Sequence, residues 1–360
     1  MSNNRLASSY THSEIMSISR ALESDLLSLD ADGLKLPAKV KSYLRFDIPK
    51  MKYVSECNAF ILYHLLKNKK RPVKECTIID HGAGLGIFSF LVKRVGAICL
   101  CHDISEEYME GVRIIGAHLK AEPDHYVVGD TDRLVSYCRQ HGVSVHGLGS
   151  RNVIEHIPDY AAFFMELGSL SSSGLDALFA TSANTHHPLV RKIHYRIHRR
   201  YETQGSNTDM DDPTLNPEQC GLRLRSEIIR AAFPELKEPQ VGLLAQLNRG
   251  FVKNQIIERV STYLKTGILP EPLPHPSNTC DPYTGAWVER LVSFEEYATA
   301  AAEAGFDCRF VAGFYNTHYA AGWKNLVSAF LNQLLKIPGN WRLALSPFLA
   351  IHLSKVDSSK

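Results

Sequence analysis

Hydrophobic and polar positions follow a strand-and-helix rhythm over much of this chain, starting near residue 75. Short apolar runs, which have the length of buried strands, occur at Cys76–Ile79, Ala97–Cys101, Tyr126–Val128, Val143–Leu148 and Leu175–Ala180. Between them lie stretches with helical spacing, and these are Leu85–Val95, Glu106–Leu119 and Tyr160–Leu170. This alternation predicts an α/β fold, with a Rossmann-like, mostly parallel sheet that carries helices on both faces.

The flanking parts of the chain have different patterns. Apolar residues at helical spacing between Ile15 and Leu29 predict an N-terminal helix that ends near Gly33. Residues 191–285 lack the strand rhythm, and they contain a basic stretch at 191–200 and a polar loop at 205–218. We predict four segments, which are an N-terminal helical cap (1–74), a core (75–190), a helical insertion (191–285) and a C-terminal completion of the sheet (286–360).

Two amphipathic helices are predicted outside the core. In the basic stretch, Ile193 and Ile197 would share one helix face and leave the cations exposed. That surface could hold a phosphate or simply face solvent. Near the C-terminus, residues 323–336 carry a single apolar stripe. This stripe could be a peripheral membrane surface, a homodimer contact, or a face that packs on the core.

Composition narrows the function classes only slightly. The 360 residues have a formal net charge of +2, so there is no strong signal for nucleic-acid binding. The eight cysteines include no C-x-x-C pair, which favours reduced thiols over a zinc site or a disulfide framework. The first residues do not resemble a signal peptide, and no apolar run is long enough to span a bilayer. We therefore expect a cytoplasmic protein.

The strongest chemical signal is a glycine loop between a predicted strand and a predicted helix. It reads Asp80-His81-Gly82-Ala83-Gly84-Leu85-Gly86. Glycines at such a turn let a ligand approach the backbone closely. The spacing is G-x-G-x-G, whereas dinucleotide-binding loops have G-x-G-x-x-G. Asp80 would also repel a pyrophosphate, but it would attract the ammonium and sulfonium groups of S-adenosylmethionine (SAM).

Two further acids follow the next strands. Asp103 ends the second strand, where its two acceptor oxygens could hold both ribose hydroxyls. A helix cap is the alternative, although Ser105 could fill that role. Asp130 follows the third strand and could accept a hydrogen bond from the adenine amino group, while the Thr131 amide could face a ring nitrogen. Helix capping by Asp130 is an equal alternative when this residue is taken alone.

The glycine loop and the two acids are followed by the sequence N-V-I-E-H-I-P-D at 152–159. This order of motifs resembles the class I SAM-dependent methyltransferase superfamily. The last stretch is similar to its small-molecule branch, which includes ubiquinone-biosynthesis and sugar methyltransferases. The resemblance covers residues 75–185 well. It implies a seven-stranded sheet whose final strand is antiparallel and inserted next to the fifth. It also implies SAM as cofactor, held by Asp80, Gly82, Ala83, Gly84, Gly86, Asp103, Ile104, Asp130, Thr131 and Asn152.

The reaction would be an in-line displacement, and a hydroxyl acceptor would need a base. The candidates for proton transfer are Glu155, His156 and His187, although each could instead be structural. Some members of the superfamily bind a divalent metal through an E-x-x-E-H stretch plus a later His. Here Glu155 and His156 match the end of that stretch and His187 follows, but Asn152 replaces the first acid, so we predict no metal.

Three functions remain open at this point. The first is a methyltransferase that acts on an O or N nucleophile of a small molecule or glycan. The second is an NAD(P)-dependent oxidoreductase, which Asp80 and the loop spacing oppose. The third is a protein that binds SAM without catalysis. The sequence does not identify the acceptor.

Overall fold

The computed structural model describes residue 6 and residues 10–205, 219–274 and 276–356. The chain forms two compact units. The sheet unit comprises Met1–Ile154, Tyr160–Ser182 and Phe294–Lys360, and the helical unit comprises Glu155–Asp159 and Ala183–Ser293. The predicted insertion at 191–285 lies within the helical unit, and the predicted cap at 1–74 is part of the sheet unit. The predicted polar loop at 205–218 falls, except for Gly205, outside the described residues.

Within the described residues, seven strands form one sheet. They are β1 (Thr77–His81), β2 (Ile98–Asp103), β3 (His125–Val128), β4 (Val145–Arg151), β5 (Ser171–Thr181), β6 (Phe306–Ala312) and β7 (Leu349–Lys355). The strand order is β3-β2-β1-β4-β5-β7-β6, and β7 runs antiparallel to both β5 and β6. The predicted Rossmann-like sheet is therefore confirmed, including the final strand inserted next to the fifth.

The described helices surround this sheet or build the helical unit. In chain order they are α1 (His12–Leu27), α2 (Ala38–Asp47), α3 (Met51–Leu66), α4 (Ile87–Val95), α5 (Glu106–Leu119), α6 (Thr131–Gln140), α7 (Tyr160–Ser169), α8 (Pro188–Gln204), α9 (Gly221–Ala232), α10 (Glu238–Leu247), α11 (Lys253–Thr266), α12 (Phe294–Glu303), α13 (Gly322–Leu334) and α14 (Trp341–Leu345). None of these described helices is long and apolar enough to cross a membrane.

The register of the central strands determines where the acids lie. All five residues of β1 are buried, as expected for a strand covered on both faces. Asp80 is paired with Cys101 of β2 and with Gly149 of β4, while Asp103 is paired with Val128 of β3. Because parallel strands present their carboxyl ends at one edge, the loop and the acids that follow these strands meet there.

Two details of the N-terminal cap differ from the prediction. Helix α1 begins with a capping box between Thr11 and Glu14 and ends at Leu27, well before Gly33. The backbone N–H of Ser28 bonds back to the carbonyls of residues 24–26, which closes the last turn early. Helix α2 was not predicted at all. It is short, and only Val40, Leu44 and Asp47 are buried along it.

The helical unit has a core of its own, built from Ile228, Ile229, Val241, Leu244, Ala245, Ile256 and Val260. The basic stretch lies on α8, and its cations are exposed as predicted. The buried face was not predicted, because Ile193 is exposed whereas His194, His198 and Glu202 are buried. These polar side chains can be buried because each has a polar partner there. Glu202, for example, forms an ion pair with the fully buried Arg225.

Candidate functional site

Backbone conformation explains the glycines of the loop that follows β1. Gly82, Gly84 and Gly86 have φ values of +68°, +52° and +73°, which side chains other than glycine adopt at a cost. Space is also short. A Cβ atom at Gly82 would lie 2.5 Å from Cγ2 of Val153, and one at Gly86 would lie 2.8 Å from both methyl groups of Val112. The loop therefore has its tight shape because glycine stands at these positions.

The end of β2 holds this loop in place. The backbone N–H groups of Gly82 and Ala83 both donate to the carbonyl of His102, at 2.9 and 3.0 Å. The N–H of Gly84 donates to Oδ2 of Asp103 at 2.8 Å. Oδ1 of Asp103 accepts from the N–H of Ser105 at 2.8 Å. A single carboxylate thus fixes the glycine loop and the start of the next loop.

The capping alternative for Asp103 does not hold, because Ser105 is the N-cap of α5. Its hydroxyl accepts from the N–H of Tyr108, as the sequence suggested it could. Asp103 is 7% exposed. Each of its oxygens still has acceptor capacity beyond the one internal bond, because a carboxylate oxygen carries two lone pairs.

Asp80 has a different environment from Asp103. Its side chain is buried, and Oδ2 accepts from both the N–H and the hydroxyl of Ser89, at 2.9 and 2.7 Å. Burial raises the pKa of Asp80 to about 7, against the effect of the Ser89 hydrogen bonds. The carboxyl therefore stabilises the first turn of α4, and near neutral pH it is not a permanent charge at the mouth of the site.

A cavity adjoins the loop. It is lined by Tyr43, Asp47, Asn58, Ile61, Asp80, Gly82, Ala83, Gly84, Leu85, Ile87, Phe88, Ser150 and Arg151. Four of the predicted cofactor residues meet here, namely Asp80, Gly82, Ala83 and Gly84. Asn152 is absent from this lining. It follows β4 with a φ of +55° and an exposed side chain, and its N–H donates to Ala180.

Polar residues that were not among the predicted site residues line the other side of this cavity. Arg151 lies at the end of β4, and its guanidinium is 3.9 Å from the carboxylate of Asp47 on α2. Burial raises the pKa of Asp47, and Arg151 opposes that rise. Tyr43 and Asn58 complete this side. A signal was present in Val40 and Leu44, whose spacing of four predicts a helix face that would carry Tyr43 and Asp47 beside it.

The predicted cofactor residues Ile104 and Asp130 follow β2 and β3, and Asp130 was the one predicted to bind adenine. Ile104 is 78% exposed, an unusual state for an isoleucine that follows a buried strand. Asp130 is the N-cap of α6, and its Oδ1 accepts from the N–H of Arg133 at 3.0 Å. The capping role of Asp130 is therefore present in the structure. It uses one oxygen of an exposed carboxylate, which leaves the other available.

Two buried histidines lie beneath the loop. The rings of His81 and His102 are 5.0 Å apart, and burial lowers the pKa of both. Nε2 of His102 is 3.2 Å from the carbonyl oxygen of Asp130, to which its N–H donates. Both rings are therefore neutral at physiological pH, and they form part of the support for the loop.

The three candidates for proton transfer lie in the helical unit. Nδ1 of His156 is 2.8 Å from the carbonyl oxygen of Trp287, so its N–H donates there. Glu155 has a buried side chain, and its backbone carbonyl accepts from the N–H of Arg290. His187 is the N-cap of α8, and its Nδ1 accepts from the N–H of Val190 at 3.4 Å. Their catalytic roles remain predictions.

Among the described residues, no group of three or more His, Cys, Asp or Glu side chains is arranged to hold a metal ion. The divalent-metal set considered from sequence combined Glu155, His156 and His187. Two of these already have backbone partners, which are the carbonyl of Trp287 and the N–H of Val190.

No protein-family model and no curated protein matches this chain. Solved structures that are similar include the plantazolicin methyltransferase with bound S-adenosylhomocysteine (SAH), at 14% identity over 96% of this chain and 98% of the other, with a TM-score of 0.38. Magnesium protoporphyrin IX methyltransferase from Synechocystis PCC 6803 with bound SAH has 11% identity over 91% of each chain and a TM-score of 0.37. A SAM-dependent methyltransferase from Mesorhizobium loti has 15% identity over 79% and 92%, with a TM-score of 0.35. At these identities and TM-scores the likenesses carry no functional argument, and the fold stands on its own strand order.

Proposed function

We propose that this chain is a class I SAM-dependent methyltransferase that transfers a methyl group to an O or N nucleophile of a small molecule or glycan. The observation that carries the proposal is the carboxylate of Asp103, which is bonded to the N–H of Gly84 and lies where the glycine loop meets the end of β2. A nucleoside whose ribose hydroxyls bind this carboxylate would have the rest of the cofactor beside the loop. The loop excludes side chains at the points of closest approach.

The chemistry around the loop fits the amino-acid end of SAM. Arg151 provides a guanidinium for its carboxylate, and such charge-assisted bonds are strong when they are partly buried. Asp80 lines the same cavity, with Oδ2 bonded to Ser89. Its other oxygen can accept from the ammonium group, and that cation would favour the ionised form of the acid. A dinucleotide would instead place a pyrophosphate beside Asp80 and Asp47, and the ionised form of either acid would repel it.

The adenine end is supported by different groups. An adenine ring that covers Ile104 would remove from water a side chain that is now 78% exposed. Asp130 retains an oxygen for the adenine amino group while it caps α6. The backbone N–H of Thr131, at the first position of that helix, can face a ring nitrogen. First-turn N–H groups have no intrahelical acceptor, which leaves them free for such a ligand.

SAM supplies an activated methyl group on a sulfonium, which is a good leaving group. The residues of this chain would align it and remove a proton from the acceptor. Of the three candidates for that proton, His156 has the most suitable tautomer. Because Nδ1–H donates to the carbonyl of Trp287, Nε2 is left unprotonated and can act as a base. His187 uses Nδ1 as an acceptor, so its Nε2 carries the proton. Glu155 stays a second candidate.

Calorimetric titration with SAH and with NADH tests the cofactor. We expect SAH to bind and NADH not to bind. Asp103→Ala should weaken SAH binding about 100-fold, because hydrogen bonds to a charged group contribute roughly 1.5–3 kcal/mol each. Asp124→Ala is the matched control. Asp124 lies at the opposite end of β2, where it accepts from the N–H of Cys99 at 2.7 Å.

The control variant loses a comparable structural hydrogen bond, so both variants should be less stable in a thermal melt. Only Asp103→Ala should lose affinity. Equal SAH affinity in the two variants would show that Asp103 does not hold the ribose. Binding of NADH in preference to SAH would favour the oxidoreductase instead.

A further inference from the structure

Helix α13 exposes most of its apolar stripe. Trp323, Leu326, Val327 and Phe330 are 66%, 75%, 50% and 62% exposed, whereas Leu331 and Leu334 are half-buried and Ser328 is buried. A helix stabilised by packing on its own core would bury that stripe. Packing on the core was one alternative from the sequence, and the exposure of these four residues contradicts it for them.

Two hydrogen-bonded clamps fix this orientation. The side-chain amide of Asn325 donates to the carbonyl of Tyr319 and accepts from its N–H, both at 2.8 Å. Asn332 makes the same pair of bonds with Tyr315, at 2.9 and 2.7 Å. The helix is thus attached to the preceding segment through its polar face. Rotating it to bury the apolar face would break four hydrogen bonds.

The apolar surface continues beyond the helix. Ile337 is 52% exposed and Trp341 is 42% exposed, while Tyr319 is 43% exposed just before the helix. We call this set, with the four residues of α13, the exposed apolar face. It contains two tryptophans and a tyrosine, the side chains that are enriched where protein meets the headgroup region of a membrane. A concentration of exposed apolar side chains such as this one indicates an interaction site.

The charged residues of the chain segment that carries this face are all cations. Residues 308–356 contain no Asp or Glu, and they include Lys324, Lys336 and Arg342 around the helix. A second copy of the chain, docked symmetrically, would bring these cations close to their own equivalents. An anionic bilayer offers the complementary charge. Helix α13 has 13 residues and is about 20 Å long, so it would lie in the interface and not span the roughly 30 Å hydrocarbon core.

We propose that the exposed apolar face binds the surface of an anionic lipid bilayer. Trp323, Leu326, Phe330 and Trp341 enter the boundary between headgroups and acyl chains, and the cations contact the headgroups. Interfacial helices of this type bind through apolar burial combined with attraction to anionic lipids. The inference is independent of the methyl acceptor and of the cofactor.

Flotation with vesicles tests this proposal on the full chain. Vesicles of phosphatidylcholine alone are compared with vesicles that contain 30% phosphatidylglycerol. We expect at least tenfold stronger partition onto the anionic vesicles, and a blue shift of tryptophan fluorescence on binding. The double variant Leu326→Gln/Phe330→Gln should lose at least tenfold in partition. Met165→Gln, at an apolar residue of α7 that is 56% exposed, is the matched control and should bind like the unaltered protein.

The charge component is tested by Lys324→Gln/Lys336→Gln, which should weaken binding to anionic vesicles and leave binding to neutral vesicles unchanged. All variants should bind SAH like the parent chain, because none touches the cofactor cavity. Absence of partition onto anionic vesicles, or partition unaffected by Leu326→Gln/Phe330→Gln, would overturn the proposal. So would sedimentation of the lipid-free chain as a dimer that this double variant converts to a monomer, because the occupant would then be a second copy.

Discussion

The glycine loop at the end of β1 and the histidine-rich part of the helical unit use polar groups in opposite ways. In the loop region, Asp103 makes one internal bond per oxygen and retains acceptor capacity. In the helical unit, Nε2 of His198 lies 3.1 Å from the carbonyl of Glu289, and Nδ1 of His194 lies 2.9 Å from its carboxylate. Residue type suggested chemistry in both regions. Only in the loop region does strand register bring the candidate functional residues together. The position of a residue at a strand end is therefore a better guide to function than its residue type.

The largest expected effect is a loss of turnover on substitution of His156. This is the one histidine of the helical unit for which we propose a catalytic role. His156→Gln should lower turnover by roughly 10²–10⁴-fold, the usual contribution of a general base. SAH affinity should be unchanged. The assay uses an acceptor that the unaltered protein methylates, and it follows SAH release as a function of pH.

His187→Asn is the control for that variant, because asparagine can still cap α8. Its turnover should stay within about threefold of the parent value. If both variants lose turnover equally, His156 is not the base. The helical unit would then use its histidines for structure alone.

A second test breaks the loop without touching a charged group. Gly82→Ala adds a Cβ atom at a φ of +68° and 2.5 Å from Val153. We expect the free energy of unfolding in urea to fall by roughly 2–4 kcal/mol, since backbone strain and overpacking act together. Gly142→Ala has a similar φ of +61° but open space, so its cost should be about 1 kcal/mol.

The difference in unfolding free energy between these two glycine variants gives the cost of the clash with Val153. Adding Val153→Ala to Gly82→Ala should recover some of it, because the clashing methyl groups are removed. Equal costs at Gly82 and Gly142 would mean that the loop can move away from Val153, and that its shape is less fixed than the structure indicates.

The smallest expected effect is a pH dependence of SAH affinity that is caused by Asp80 and not by Asp103. Burial raises the pKa of Asp80 to about 7, above its ordinary value of 3.8. The folded protein therefore favours the protonated acid, and its contribution to stability falls as the pH rises from about 4 to 7. Binding of a ligand that places an ammonium group beside the Asp80 carboxylate should show the opposite trend. We expect SAH to bind about tenfold more weakly at pH 6 than at pH 8, following the ionised fraction of an acid with this pKa.

Asp80→Asn should remove this pH dependence of SAH affinity between pH 6 and 8, while the bond to Ser89 can be kept by the amide oxygen. Isothermal titration at four pH values checks it. A variant that keeps the tenfold change would show that another group titrates. The stability trend is measured separately, by urea unfolding of both proteins over the same range.

Much of the fold could be predicted from the sequence, since five buried strands and their intervening helices give regular apolar runs. The acids at 80 and 103 followed from the same regularity. The α2 residues and the pairing of Arg151 with Asp47 were not identified, because they depend on packing between elements distant in sequence. On α8 the exposed cations were predicted but the buried face was not, because buried, paired histidines do not look apolar. The exposed face of α13 was one of several alternatives from the sequence, and the clamps through Asn325 and Asn332 that decide between them are tertiary contacts.

The bonds from Gly82, Ala83 and Gly84 to the end of β2 have a kinetic consequence. A loop whose N–H groups are already held pays little ordering entropy when a ligand arrives, so its affinity reflects contacts and not rearrangement. Such a loop should show rapid, single-step association with SAH. A preformed donor site also leaves the rest of the chain free to diverge. On the proposed function, the acceptor could change over evolutionary time while the loop and its bonds to β2 stayed as they are.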